Sequence, residues 1–391
     1  MRKESFDGPK ELAEKLSPLL DPKVAHIDDL PHLLQLLYHA SLIPEEGRYP
    51  RFRVICSSSI YGHSIEFEQP WPPLDSVEAF RRLAPAVSDP NTALMVSGNA
   101  RHGFIANNII DFWEHSIRGD AATGYWRADD ALPDGTLTIR VDGPGQLRAS
   151  VQPGPVLHLR GGRIRELTAF DKAVTPFRDI VTTLCRQMKE TLHATIGEVE
   201  TSQEILEEEF LGIWSAMMSD AIHARHGAAF VVLPNLDCHC AKPKYRATCK
   251  LFEAFQSTAE LVLKLKPEDI RSLWLLHREH VLRVARMAGR LSATDGAVLF
   301  DRRLAMIGFG AKLHSSEAKI PLFLAGSDTE IGDQRFSGMR HKSAANLVQA
   351  VPGTIVFVVS QDGDLSAFGS NEKRAEYFPH LDAWSSVSDF L

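Results

Sequence analysis

The segment FSGMRHKSAANLVQAVPGTIVFVVSQDGDLSAF, residues 336–368, decides the predicted fold of the C-terminal half of this chain. A glycine precedes a helical stretch rich in small residues, and the strand-like TIVFVVS follows after a Pro-Gly turn. Because this strand is apolar at almost every position, we expect it to be buried on both faces of a sheet. A buried strand next to a helix predicts a central sheet with helices packed against it.

Three basic side chains, Arg340, His341 and Lys342, stand at the start of that helix. Cations at a helix N-terminus oppose the helix dipole, so a merely solvated basic patch is oddly placed there. The arrangement is favourable if an anion lies between these side chains and the free N–H groups of the first turn. Gly338 precedes them and lets the backbone approach a ligand closely. We expect phosphate, because arginine can bind it through two hydrogen bonds and lysine as a point charge.

Helical and strand-like segments alternate on either side of this stretch. Residues 205–391 predict an α/β domain with a central mixed β-sheet flanked by helices, because their strand segments are apolar nearly throughout. Residues 173–204 are mostly helical and predict a connector. Residues 1–172 predict a mixed α/β domain, which ends in short strands separated by DGPGQ, QPGP and GG turns, as in a β-meander.

The composition is that of a globular protein, with 391 residues, 44% hydrophobic and 24% charged. The net charge of −7 argues against a protein that coats nucleic acid, although it allows a local basic pocket. The N-terminal MRKESFDGPKEL lacks the apolar core of a signal peptide, and no apolar run is long enough to span a bilayer. Five unevenly spaced cysteines favour reduced thiols. We therefore expect a cytoplasmic protein without a membrane or nucleic-acid partner.

Three motifs in order along the C-terminal half resemble the catalytic domain of bacterial diadenylate cyclases. That family reads D-G-A, then G-T-R-H-R, then V-S-E-E-x-G at similar spacing. The counterparts here are Asp295-Gly296-Ala297, Gly338-Met339-Arg340-His341-Lys342 and Val359-Ser360-Gln361-Asp362-Gly363. The resemblance extends from about Leu206 to the C-terminus. The first 200 residues, through YHASLIPEEGRYPRFRVI, resemble the sensor-type domains that precede some of these cyclases.

The resemblance implies a nucleotidyltransferase that joins two ATP molecules into cyclic di-AMP and releases two pyrophosphates. It implies that Asp295 and Asp362 hold Mg²⁺ or Mn²⁺, and that Asp295 also assists the attacking 3′-hydroxyl. Arg340, His341 and Lys342 would be catalytic residues together with Asp295: they would bind the polyphosphate and stabilise the charge that leaves with pyrophosphate. It further implies a face-to-face homodimer or higher oligomer, and an unknown ligand for the first domain. The expected substrate-binding residues are Gly296, Ala297, Gly338, Met339, Arg340, His341, Lys342 and Ser360.

This chain departs from the family motifs at three points. Lys342 replaces an arginine and loses its planar fork, and Met339 replaces a threonine and loses its hydroxyl. Gln361-Asp362 replaces a pair of glutamates. These departures keep two alternatives open: a catalytically altered sensor that binds a nucleotide or cyclic dinucleotide, and a scaffold whose helical connector drives dimerisation.

Two other patterns in the sequence do not require a ligand site. LDCHCAKPKYRATC supplies Cys238, His239, Cys240 and Cys249 as potential metal ligands, but their spacing is not that of a standard zinc site, and a loop with incidental thiols is favoured. GPGQLR and RGGRIR resemble phosphate loops. No helix follows either of them, so both predict hairpin turns.

Overall fold

The computed structural model describes residues 7–45, 47–57, 64–69, 71–88, 92–99, 103–111, 135–152, 154–169, 173–196, 203–224, 226–235, 239–263, 280–314, 318–332, 336, 338–361 and 363–382. These residues divide between Leu167 and Thr168 into two compact units. Each unit combines helices with its own β-strands, which confirms the predicted α/β class. Among the described helices, none is both long and apolar enough to cross a membrane.

Eight of the described strands of the first unit form one mixed sheet. Its order is β2-β4-β3-β1-β5-β6-β7-β8; β1 and β3 are parallel and the other neighbours are antiparallel. The last four strands form the predicted meander, with hairpin turns at the GPGQ and RGGR segments. The strands are β1 (Phe52–Cys56), β2 (Ser64–Glu66), β3 (Thr92–Asn99), β4 (Gly103–Asp111), β5 (Leu137–Gly143), β6 (Gln146–Val151), β7 (Val156–Arg160) and β8 (Arg163–Ala169).

Helices cover one face of this sheet. Burial alternates along β5 and β6, where residues such as Ile139 and Leu147 point into a core shared with the helices. Asp29 caps the longest helix by accepting a hydrogen bond from the His32 N–H, and Pro31 occupies its first turn. The helices are α1 (Pro9–Leu16), α2 (Pro22–Ala25), α3 (Leu30–Leu42) and α4 (Val77–Leu83).

The second unit begins with the helices predicted as connector and domain entry. Phe177 on the first helix packs against Trp214 and Phe357, with ring centroids 4.9 and 5.1 Å apart. The segment predicted as a connector, residues 173–204, therefore contains a helix that is part of the second unit's core. The helices are α5 (Thr175–Ile196), α6 (Gln203–Ala224), α7 (Leu251–Leu263), α8 (residues 280–290) and α9 (Met339–Ala350).

The central sheet of the second unit has the order β14-β17-β16-β15-β9-β12-β13, and β10 and β11 both pair with β13. The strand β9 runs parallel to β12 and antiparallel to β15, and both β9 and β15 are buried throughout, as predicted for this stretch. The strands are β9 (Ala228–Val232), β10 (Ala241–Lys242), β11 (Tyr245–Lys250), β12 (Ala297–Phe300), β13 (Ala305–Leu313), β14 (Leu322–Leu324), β15 (Ile355–Val359), β16 (Leu365–Ser370) and β17 (Ala375–Asp382).

Candidate active site

The three sequence motifs meet at one edge of the second unit's sheet. Ala228 at the start of β9 pairs with Val359 at the end of β15, which places Gly227 next to Ser360. The strand β12 is parallel to β9, with Val298 opposite Phe230, so the Asp295-Gly296 turn before β12 lies at the same edge. Strand register thus gathers two of the motifs, although long stretches of chain separate them.

Arg340 brings the third motif to this edge. Gly227 has φ +65°, and a Cβ added there would lie 2.7 Å from Arg340 Nη1, 3.1 Å from Arg340 Cζ and 3.4 Å from Gln361 Cγ. The guanidinium therefore rests against the backbone where β9 begins, beside the residue that follows Ser360. The missing side chain of Gly227 makes room for the Arg340 guanidinium.

The Asp295-Gly296 turn is fixed by backbone packing. Gly296 has φ +120°, and a Cβ there would lie 2.5 Å from the carbonyl carbon of Gly310. No side chain fits, because the atoms in the way belong to the backbone of β13. Ala297 is buried in the sheet, whereas Asp295 is exposed. Of these three predicted site residues, Asp295 presents its side chain to solvent, and Gly296 and Ala297 position it.

His341 differs from its neighbours in environment. Its ring stacks on Phe336 and meets Phe368 edge-on, and Nε2 lies 2.9 Å from the Ser366 hydroxyl oxygen. Burial lowers the pKa of His341, although Asp364 partly opposes the shift. The imidazole is therefore neutral at neutral pH, and it anchors the first turn of α9 rather than adding charge to it.

The first turn of α9 presents hydrogen-bond donors to solvent. Gly338 is the N-cap residue and supplies no side-chain hydrogen bond, while its carbonyl accepts the helical bond from the Lys342 N–H. Lys342 is exposed, and Met339 is 75% exposed. The helix start thus combines uncapped N–H groups with one exposed and one half-buried cation, which is a favourable setting for an anion.

Ser360 closes the turn between β15 and β16. Its N–H donates to the Asp364 carbonyl over 2.8 Å, and its hydroxyl oxygen accepts from the Asp364 N–H over 3.0 Å. The hydroxyl proton is not used in these contacts and can still donate to a ligand. Asp362, the second predicted metal ligand, lies outside the described residues.

The described part of the chain holds no group of three or more histidine, cysteine or acidic side chains that would form a protein-only metal site. Magnesium commonly takes one or two carboxylates and completes its shell with water and substrate phosphates. The exposed carboxylate of Asp295, beside a predicted phosphate site, fits that kind of donor set. Cys240 and Cys249 are not joined in a disulfide, and burial raises the pKa of Cys249. Cys238 lies outside the described residues.

An aromatic pair beside the Asp295 turn was missed by the sequence analysis. Tyr245 on β11 stacks on Phe309 of β13 with ring centroids 5.1 Å apart, and Lys244 Nζ lies 5.2 Å from the Tyr245 centroid. A Cβ placed at Gly310 would lie within 4 Å of both the Tyr245 ring and the Asp295 carbonyl. Tyr245 is 44% exposed. The sequence predicts a loop here, because YRATCK contains no apolar run.

A cavity of about 650 Å³ lies at the other end of the same strands. It is bounded by α5, by Arg302 after β12, by Gly353 before β15 and by Ser370 at the end of β16. Burial lowers the pKa of Arg302, whose Nη2 donates to the Gly353 carbonyl over 2.8 Å. None of the predicted site residues lines this cavity, so the candidate site is an open sheet edge distinct from it.

Comparison with known proteins bears on the first unit. Residues 21–106 match the family model described as "Probable sensor domain DACNV", which supports the predicted sensor domain over that range. A comparison with curated proteins finds no match. One solved structure, "The crystal structure of the hypothetical membrane spanning protein from Bacillus cereus", aligns with 53% of this chain and 94% of its own length at 12% identity, with a TM-score of 0.25. A score this low carries no argument.

Proposed function

We propose that the second unit is a diadenylate cyclase, which condenses two ATP molecules into cyclic di-AMP and two pyrophosphates under the control of the sensor domain. The observation that carries this proposal is the convergence of Asp295, Arg340 and Ser360 on one sheet edge. These are the residues that the family resemblance selects from three separate motifs. The match of residues 21–106 to a probable sensor domain adds support, because the resemblance predicts such a domain before the cyclase.

This reaction depends on positioning the two ATP molecules and on neutralising charge more than on covalent catalysis by the protein. The 3′-oxygen of one ATP attacks the α-phosphorus of the other, and the new P–O bond forms as the bond to pyrophosphate breaks. The hydroxyl proton passes to solvent in the same step. A second equivalent step closes the ring, so that two ATP give one cyclic di-AMP and two pyrophosphates.

Each side chain at this sheet edge has a proposed role in the reaction. Arg340 binds the polyphosphate through its guanidinium group, which packs against Gly227. The uncapped N–H groups at the start of α9 add further hydrogen-bond donors. Lys342 contributes charge at the rim, and the Ser360 hydroxyl donates to a phosphate or ribose oxygen. His341 positions the helix start. The flat Tyr245 ring offers a surface on which a base can stack.

A divalent cation would be held by Asp295 together with phosphate oxygens, and Asp362 is the expected second ligand. Bound Mg²⁺ or Mn²⁺ would supply charge neutralisation at the α-phosphate and lower the pKa of the attacking hydroxyl. The close contact between Gly296 and Gly310 fixes the turn that carries Asp295, which supports this proposed role.

The product requires a second copy of the chain. One unit offers one phosphate-binding helix start, yet cyclic di-AMP contains two equivalent bonds. An isologous pair of second units, each carrying one ATP, satisfies this requirement. The rate per subunit should then fall when the protein is diluted below its dimer dissociation constant. A monomer of full specific activity would contradict the pairing.

The second candidate is a sensor that binds a nucleotide or cyclic dinucleotide without turning it over. The exposed Met339 and Lys342, where the family has threonine and arginine, favour this candidate. Incubation with ATP and Mn²⁺, followed by mass spectrometry and by equilibrium binding of ATP, separates the two. Cyclic di-AMP supports the cyclase, saturable binding without product supports the sensor, and the absence of both contradicts the site itself.

A further inference from the structure

The cavity of about 650 Å³ in the second unit takes no part in the proposed reaction. Small-molecule sites in proteins commonly have volumes of about 300–1,000 Å³, so this cavity has the size of a ligand site. Helix α5 forms one wall, from Pro176 to Gln187, and the turns after β12 and β16 contribute Arg302 and Glu372. Eleven steps of about 1.5 Å along the helix make this wall roughly 17 Å long, which suits an elongated ligand.

Helix α5 has two different faces. Phe177, Val181 and Cys185 are buried in the core of the second unit. The residues that line the cavity recur at helical spacing and combine apolar, hydroxyl, amide and carboxylate side chains: Pro176, Asp179, Ile180, Thr183, Leu184 and Gln187. This wall can therefore contact both the apolar and the charged parts of a ligand.

Arg302 is held at the cavity by its own turn and by a glycine. Asp301 Oδ1 accepts hydrogen bonds from the backbone N–H groups of Arg303 and Ala305, each over 2.9 Å, which fixes the turn. Arg302 Nη2 donates to the Gly353 carbonyl over 2.8 Å. Gly353 has φ +85°, and a Cβ added there would lie 2.8 Å from the same nitrogen, so the missing side chain makes room for the guanidinium. The guanidinium is thus positioned before a ligand binds.

The charged groups on the cavity walls are not paired with one another. In the described part of the chain, Arg302 forms no ion pair, and neither do the carboxylates of Asp179 and Glu372. Burial lowers the pKa of Arg302, and no carboxylate among the described residues opposes this shift. A partly desolvated cation without a counter-ion costs free energy, which an anionic group of a ligand would offset.

We propose that this cavity binds a short cationic peptide, with the C-terminal carboxylate of the peptide on Arg302 and its ammonium groups at Asp179 and Glu372. A carboxylate matches the planar guanidinium through two hydrogen bonds. One cation and two carboxylates give the cavity walls a net charge of −1, which disfavours a polyphosphate and favours a ligand with more than one cationic group. An extended chain of about three to five residues, at about 3.4 Å each, fits along the α5 wall. The inference is independent of the reaction proposed for the sheet edge.

The test uses the full chain and the tripeptide trilysine, whose aliphatic stems can pack on the apolar part of the α5 wall. Trilysine amide has the same side chains but no carboxylate. Its additional positive charge would strengthen any non-specific attraction to this protein, which has a net charge of −7. Isothermal titration should nevertheless show saturable binding that is about tenfold or more tighter for trilysine than for the amide, because only trilysine can pair with Arg302.

Matched variants locate the binding at the cavity. Arg302→Gln should weaken trilysine binding about tenfold or more and remove the difference between trilysine and its amide, whereas Arg303→Gln, on the exposed next residue of the turn, should bind like the parent. Asp179→Asn should weaken the binding of both peptides, and Glu190→Gln, at an exposed position of α5 outside the cavity, should not. Circular dichroism confirms that each variant is folded. Arg302→Lys keeps the charge and loses the planar fork, so its affinity should fall between those of the parent and Arg302→Gln.

Three results would overturn the inference. The first is no saturable binding of trilysine at millimolar concentration. The second is equal affinity of the parent chain for trilysine and trilysine amide, which needs no variant to measure. The third is equal affinity for trilysine in Arg302→Gln and Arg303→Gln.

Discussion

Gly227→Ala tests the candidate site at a residue that makes no hydrogen bond to ligand in the proposal. A Cβ there would lie 2.7 Å from Arg340 Nη1, so the guanidinium must move away from the start of β9. A charge-assisted hydrogen bond contributes about 1.5–3 kcal/mol, which corresponds to a loss of roughly 10- to 150-fold in ATP affinity if Arg340 no longer reaches the phosphate. The positive φ adds a stability cost of about 1–2 kcal/mol for any residue with a side chain.

Gly326→Ala separates these two effects. Gly326 has φ +70° in the same unit, and a Cβ there would meet nothing within 4 Å. Urea unfolding should show similar destabilisation in both variants, whereas equilibrium binding should show weaker ATP affinity only in Gly227→Ala. In the double variant Gly227→Ala/Arg340→Ala the two binding losses should not add, because both remove the same contact. If Gly227→Ala binds ATP as tightly as Gly326→Ala does, the guanidinium is not a phosphate ligand.

Three further predictions address the reacting groups, the base and the pH response. Asp295→Asn should abolish product while changing metal-free ATP binding less than tenfold, because the carboxylate acts through the metal and the attacking hydroxyl; product at the wild-type rate would contradict its role. Tyr245→Ala should raise the KM for ATP by about 5- to 150-fold, as expected for loss of about 1–3 kcal/mol of stacking, and Tyr245→Phe should not; equal KM values in both variants would remove Tyr245 from the base site. His158 has a folded pKa below that of the unfolded chain, so the unfolded state binds more protons between about pH 6.5 and 3, and stability should fall as pH decreases through this range by up to ~1.4 kcal/mol per pH unit. Urea unfolding at several pH values should show a shallower slope in His158→Gln, and an unchanged slope would contradict a buried neutral imidazole.

The sequence predicts the individual helices and strands of the second unit better than the way they come together at the candidate site. The strand TIVFVVS and the helix before it follow directly from hydrophobic pattern, as do the hairpins of the first unit from their glycine turns. The contact of Arg340 with Gly227 does not follow from the hydrophobic pattern, because it depends on how β9 and β15 pair. The neutral state of His341 also cannot be predicted from the sequence, because it depends on Phe336 and Phe368 packing against the ring.

Two features escaped the sequence for opposite reasons. The strand β11 is not predicted because its residues are mostly exposed, so that YRATCK shows neither a continuous apolar run nor a clear alternation with a period of two. The arginines on the strands of the first unit are visible in the sequence, and their alternation with apolar residues along β5 and β6 is regular. Only the register across five strands shows that Arg53, Arg140, Arg148, His158 and Arg165 share one line. Strand pairing therefore carries most of the functional information that pattern analysis lacks.

The most direct test of the central claim is the stoichiometry of the products. Purified full-length protein is incubated with ATP and Mn²⁺, and cyclic di-AMP and pyrophosphate are quantified over time in parallel with Arg340→Ala. The proposal predicts two pyrophosphates for each cyclic di-AMP in the wild type and little of either in the variant. Pyrophosphate without cyclic di-AMP, or cyclic di-AMP formed equally well by Arg340→Ala, would contradict a cyclase site at this sheet edge.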